Sequence, residues 1–171
     1  ILLSAGYPNG AGNTEQAIAL LEKAIKEMPE KWQYLHDAGF VEYWWNKDPN
    51  AAAKWLLRAA DVPGSPSWLR PVAAGMLAEG GDERTSRALW TELEASAEHD
   101  WLRQAARRGL MQLDAEAAIA QLQPVVNRFH DTTGHFPASW QEMVRERLLP
   151  GIPLDPSGRP FTLDPASGAI D

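Results

Sequence analysis

The chain repeats itself. Trp68-Leu69-Arg70-Pro71-Val72-Ala73 returns 33 residues later as Trp101-Leu102-Arg103-Gln104-Ala105-Ala106. A looser echo lies upstream: Gly12, Ala17, Leu21, Ala24 and Pro29 map, 34 residues on, to Asn46, Ala51, Trp55, Arg58 and Pro63. A third copy, one residue late, gives Gly81, Ser86, Trp90 and Leu93. Self-similarity at a fixed period means one supersecondary unit used several times, each copy covering its apolar face with the next. No other feature constrains the fold as strongly.

The repeated unit is helical. Asn13 or Thr14 can cap a first helix, Glu15 and Gln16 fill its first turn, and Pro29 lies beyond its end. Ala17, Leu20, Leu21, Ala24 and Ile25 recur at three and four and form one apolar face. The same reading predicts helices at about Trp32–Trp45, Ala51–Ala60, Trp68–Glu79, Asp82–Ala97 and Asp100–Leu113. A longer one follows at about Ala115–Thr132, with Pro124 inside it. Short loops predict antiparallel neighbours. The expected core is Ala17, Leu21, Ala24, Ala51, Trp55, Trp90 and Leu93, with small residues at Gly39, Ala73 and Ala106 where paired helices meet.

A period of about 34 residues with two helices per unit and this small/large spacing resembles the tetratricopeptide repeat. The expected fold is therefore all-α: a right-handed superhelix of antiparallel helix pairs over residues 1–113, a long connecting helix over 114–134, and a small turn-rich cap over 135–171. In that family the first helix of each unit lines a concave groove that holds a peptide of a partner protein. Carried over by position, the groove residues are His36, Phe40, Tyr43 and Trp44, then Arg70, then Arg103 and Arg107. The resemblance implies a non-catalytic interaction scaffold whose arginines favour acidic and apolar ligands.

The last segment has another character. Five prolines (Pro150, Pro153, Pro156, Pro160 and Pro165) crowd into it, and Asp155-Pro156-Ser157-Gly158 and Asp164-Pro165-Ala166-Ser167-Gly168 are turn formers. Gly134-His135-Phe136-Pro137 and Pro153-Leu154-Asp155-Pro156-Ser157-Gly158-Arg159-Pro160-Phe161 resemble the C-terminal half of type IV pilin-like pseudopilins. That likeness implies a role in a bacterial envelope, secretion or pilus-assembly system. The apolar membrane helix that opens a pseudopilin does not precede this tail. Residues 135–171 are too few for a core of their own, so they are expected to dock on the long helix.

Composition narrows the chemistry. The 16 basic and 23 acidic side chains leave a formal net charge of −7, which speaks against nucleic acid. Cysteine is absent, which removes disulfides, thiolate metal sites and cysteine nucleophiles. No apolar run approaches the roughly 18 residues of a membrane span. The chain begins at Ile1 and is expected to belong to a longer protein, with any export signal or anchor in the missing part. No nucleophile elbow, phosphate loop or His-Glu-x-x-His occurs. His130 and His135 lack the spacing and further ligands of a zinc site, so neither metal nor cofactor is expected. The rival readings are a hydrolytic enzyme acting on an envelope polymer and a self-assembling pilus-like subunit.

Overall fold

A computed structural model describes residues 12–171, so residues 1–11 of the expected repeat region lie outside the described part. Those residues form helices α1 Thr14–Glu27, α2 Trp32–Val41, α3 Pro49–Ala60, α4 Leu69–Glu79, α5 Glu83–Ser96, α6 Asp100–Thr133 and α7 Trp140–Arg145. A π turn, Glu42–Asn46, continues α2. No strand forms among the described residues, so the protein is all-α there. Two compact units divide the chain at Leu110 and Met111.

Alternate helices of the first unit start in the same way. Asn13 accepts the Gln16 N–H at 2.9 Å, Asp48 the Ala51 N–H at 2.8 Å and Asp82 the Thr85 N–H at 3.2 Å. Each satisfies a backbone donor that an α-helix leaves unpaired in its first turn. Pro49 then occupies the first turn of α3, where its missing N–H costs nothing. This is why α3 starts before Ala51. By contrast, α2 and α4 have no side-chain cap and depend on packing.

Contacts define two rows within this unit. Asn50, at the start of α3, donates to the carbonyl of Gly80, just past the end of α4, at 2.8 Å, so α3 and α4 run antiparallel. The aromatic rings of Trp32 and Trp68, at the starts of α2 and α4, lie 6.2 Å apart. Near their ends Tyr43 donates to Glu79 at 2.9 Å. Helices α2 and α4 therefore lie side by side and point the same way. Arg70 near the start of α4 and Leu102 near the start of α6 line one cavity, which continues that row. Trp55 of α3 and Ile25 of α1 line another, in the second row.

Small residues let these helices approach. Ala17, Ala38, Ala52, Ala53, Ala59, Ala73, Ala74 and Ala106 are buried, as is Ser86, whose hydroxyl donates to the Ala74 carbonyl at 2.7 Å. Trp90 and Leu93 are buried as expected. Leu21, Ala24, Ala51 and Trp55 are only half-buried. The inward face of α3 is Ala52, Ala53, Leu56 and Ala59, one position on from the expected register. At Gly39 an added Cβ would meet the Ala52 carbonyl at 3.1 Å, which leaves no gap for an indole. Trp55 is displaced to the edge, where the Arg58 guanidinium covers it at 4.4 Å from the ring centre.

The expected break between Leu113 and Asp114 does not occur. Helix α6 is continuous, because Leu113 is buried and Asp114 costs only a few tenths of a kcal/mol in a helix interior. In the second unit Val126 and Phe129 of α6 pack with Trp140, Met143, Phe161 and Ile170. The Trp140 indole donates to the Phe161 carbonyl at 2.7 Å. The tail pairs only through the isolated bridges Leu154–Pro160 and Leu163–Ile170. Its turns are held by carboxylates. Backbone and hydroxyl hydrogen bonds from Arg159 and Ser157 hold the Asp155 carboxyl below its ordinary range, and those from Ser167 and Ala166 do so for Asp164. Gly168 has φ 71°, and a Cβ there would fall 2.3 Å from the Phe136 ring.

Two glycines test this packing with opposite signs. A Cβ at Gly109 would lie 2.3 Å from the buried Trp90 ring, whereas one at Gly75 in α4 would meet nothing within 4 Å. Gly109→Ala should destabilise by about 1–2 kcal/mol through overpacking, and Gly75→Ala should stabilise by about 0.5–1 kcal/mol through helix propensity. Denaturant midpoints check both. Deleting 135–171 should uncover Val126 and Phe129 and give aggregation and binding of an apolar dye. A truncated chain that stays monomeric and equally stable would refute the docking.

Candidate functional site

Helix α2 presents a line of aromatic side chains. His36 and Phe40 are four residues apart on α2 and so share one side of it, and Tyr43 and Trp44 follow in the π turn that continues it. At its start, His36 stands edge-on to Trp32 at 6.1 Å and to Trp68 of α4 at 5.7 Å. In the middle, Phe40 lies 6.2 Å from Trp44 and 5.3 Å from Trp45. At its end, the rings of Tyr43 and Trp44 are perpendicular and 5.1 Å apart. His36 to Trp44 spans about 12 Å at 1.5 Å per residue, the length of about four extended peptide residues.

This ridge is open to solvent. Trp44 is 53% exposed and Trp68 39%, and Val72, one turn beyond Trp68, is exposed to the same extent. Tryptophan is highly buried on average, so a half-exposed indole in each of two ring clusters marks apolar surface at both ends of α2.

The π turn sets the far end. Its wider ring shifts Tyr43, Trp44 and Trp45 out of α-helical register, and π turns occur often at functional sites. It closes on Lys47, whose φ of 56° is left-handed, and Asp48 then donates to the Glu42 carbonyl at 3.0 Å. In the next repeat, the residue before Asp82 is Gly81, with φ 80°. Lys47 thus holds a conformation that costs a non-glycine residue about 1–2 kcal/mol. Its ammonium lies 5.7 Å from the Trp44 ring centre. Tyr43, Trp44, Lys47, Pro49 and Glu79 surround a cavity of about 140 Å³. The hydrogen bond to Glu79 raises the Tyr43 pKa above its ordinary value, so the phenol remains a donor.

Of the residues expected in one groove, His36, Phe40, Tyr43 and Trp44 are together. Arg70, Arg103 and Arg107 are taken elsewhere. Trp68 and Arg70 are two positions apart, about 200° around a helix, so they leave α4 on opposite sides. Arg70 bonds Asp61, the C-cap of α3, at 2.8 Å and approaches Glu92 of α5 at 3.7 Å. Arg103 donates to the Ala97 carbonyl, at the C-cap of α5, at 2.7 Å and to Asp100 at 2.8 Å. The repeated arginine is thus a latch onto the end of the preceding helix, where carbonyls and the helix dipole favour a cation. Arg107 pairs with Glu94 at 2.8 Å. The cavity beside Arg70, about 290 Å³, includes Ser65, Ser67, Ser96 and His99, but its arginine already faces two carboxylates.

Trp32, Lys47, Trp68 and Glu79 were missed by position-by-position transfer. Aligning the caps Asn13, Asp48 and Asp82 would have found Lys47 at the place of a glycine. His130 stacks on Phe136 at 4.2 Å, and His135 stands edge-on to Phe129 at 5.5 Å. Among the described residues no group of three or more His, Cys, Asp or Glu is placed to hold a metal ion, and no helix is long and apolar enough to cross a membrane.

The latch assignment makes a graded prediction. Arg70→Met and Arg103→Met keep the aliphatic stem and remove the charged hydrogen bonds. Each should cost about 1 kcal/mol, and Arg107→Met, at an arginine that is itself more exposed and holds a single carboxylate, less than about 0.5 kcal/mol. Equal midpoints in urea for all three would refute it. Compared with known proteins, this chain matches no protein-family model, no curated protein and no solved structure.

Proposed function

We propose that the first unit is a tetratricopeptide-like superhelical array and that it works as a non-catalytic scaffold. In this reading it holds a peptide segment of a partner protein against the aromatic ridge of α2 and α4. The carrying observation is a pair of ring clusters along α2, Trp32, His36 and Trp68 at one end and Phe40, Tyr43, Trp44 and Trp45 at the other, with Trp44 and Trp68 exposed to solvent. The side-by-side, same-direction arrangement of α2 and α4 supports the repeat reading.

The magnitudes suit an interface. A tryptophan buries about 150–250 Å², so covering the exposed half of one indole yields about 2–3 kcal/mol at roughly 25 cal/mol per Å². Two such rings supply the anchors that dominate peptide interfaces, before the cost of ordering the ligand. The ligand chemistry differs from that expected of an arginine-lined groove. With the arginines paired internally and Glu79 beside Trp44, an apolar segment with basic residues fits better than an acidic one. The pseudopilin-like pattern of residues 153–161 is what supports setting this scaffold in a bacterial envelope assembly.

The test is selection of twelve-residue peptides from a random display library on the full chain. Enriched sequences should share apolar anchors. Trp44→Ala and Trp68→Ala should each weaken their binding by about thirtyfold or more, as interface anchors do, with unchanged thermal unfolding. No enrichment, or enriched peptides that bind both variants normally, would overturn the proposal.

A further inference from the structure

We infer that Tyr43, Trp44 and Glu79 form a site for an organic cation, namely the ammonium or guanidinium of a lysine or arginine in the bound segment. The inference rests on the peptide-binding reading and specifies its chemistry at one end of the ridge.

Three observations converge there. First, the two rings stand at 89° with centres 5.1 Å apart, so they form two walls. Aromatic faces are electronegative and attract a cation within about 6 Å. Second, Glu79 lines the same cavity, and the Tyr43 hydroxyl holds its carboxylate at 2.9 Å. A neutral apolar group in that place would strip water from the carboxylate without replacing its hydrogen bonds. A cation supplies both a charge and donors.

Third, a cation of the chain itself already lies at the ring. The Lys47 ammonium is 5.7 Å from the Trp44 centre, near the outer limit of such contacts. It is carried there by a left-handed residue where the next repeat has Gly81. Lys47 is therefore an internal stand-in, loosely seated, that a better-placed cation of the ligand displaces. The acidic surroundings, with Glu42 and Asp48 flanking the turn and a net charge of −7 on the chain, favour the same sign of ligand.

Free compounds test this without a peptide. Tetramethylammonium chloride and Nα-acetyl-lysine methylamide are titrated into the full chain at matched ionic strength. The Trp44 indole N–H, assigned by its loss in Trp44→Phe, is followed by NMR. Both cations should give saturable shifts, and Nα-acetyl-norleucine methylamide should not. Glu79→Gln should weaken the response by at least about threefold, and Lys47→Gln should strengthen it by about twofold or more, since the internal competitor is gone. Absence of a saturable shift, an equal response to norleucine, or normal binding by Glu79→Gln would overturn the inference. Selected peptides that bind without lysine or arginine, together with silent cation titrations, would sink this inference and leave peptide binding standing. Cation shifts in a chain that selects no peptides would support the cation site and sink the peptide reading instead.

Discussion

Close approach of helices through small side chains is the constraint on which the first unit depends. Its interior contains Ala38, Ala52, Ala53, Ala59, Ala73, Ala74 and Ala106, with Gly39 and Ser86 at contacts. Helices this near have little space between them for an indole. Of eight tryptophans in the chain, only Trp90 and Trp140 are buried. Trp90 fits because Gly109 faces it, and Trp140 belongs to the second unit. The other six tryptophans lie at edges and surfaces, so the exposed indoles of the ridge are a consequence of the core.

The same economy explains the arginines. Alanines share the core with leucines, and the close approach of the helices brings their ends within reach of side chains from their neighbours. Caps at Asn13, Asp48 and Asp82 hold the starts of one row of helices. Arg70 and Arg103 reach the ends of α3 and α5. The repeated Trp-Leu-Arg therefore divides its labour. Leu69 and Leu102 enter the core, the arginine fastens the previous helix, and the tryptophan stays outside. At Trp68 that outside position meets the ring cluster of α2.

Much of this was legible in the sequence, and the failures have physical causes. Helix positions followed from periodicity and from Asn13, Pro29 and Pro63, because local chemistry decides helix ends. The aromatic half of the site was legible because His36 and Phe40 fall on one helical side and Tyr43 and Trp44 follow directly in sequence. The arginine half was not. Position in a repeat fixes where a side chain leaves the helix, but a long side chain goes to its nearest carboxylate or carbonyl, and those belong to other helices. Trp55 was misplaced because the spacing reported a face while sterics chose its neighbour, Leu56. The π turn has no sequence signature, and Lys47 shows only once the caps are aligned.

Helix α6 shows how one element can serve two kinds of core. Near its start it offers Leu102, Ala106 and Gly109, and the first unit sets the Trp90 ring against Gly109. Farther along it offers Val126 and Phe129, and the second unit answers with Trp140, Met143, Phe161 and Ile170. That contrast follows from the partners. A neighbouring helix satisfies its own backbone and can come close, so small residues suffice. A proline-rich tail with two isolated bridges has little backbone pairing to hold it, so large side chains and carboxylate-bonded turns must do so. The packing partners of α6 therefore change around the division between Leu110 and Met111, from the helices of the first unit to α7 and the tail, and no break in the helix is needed to make the change.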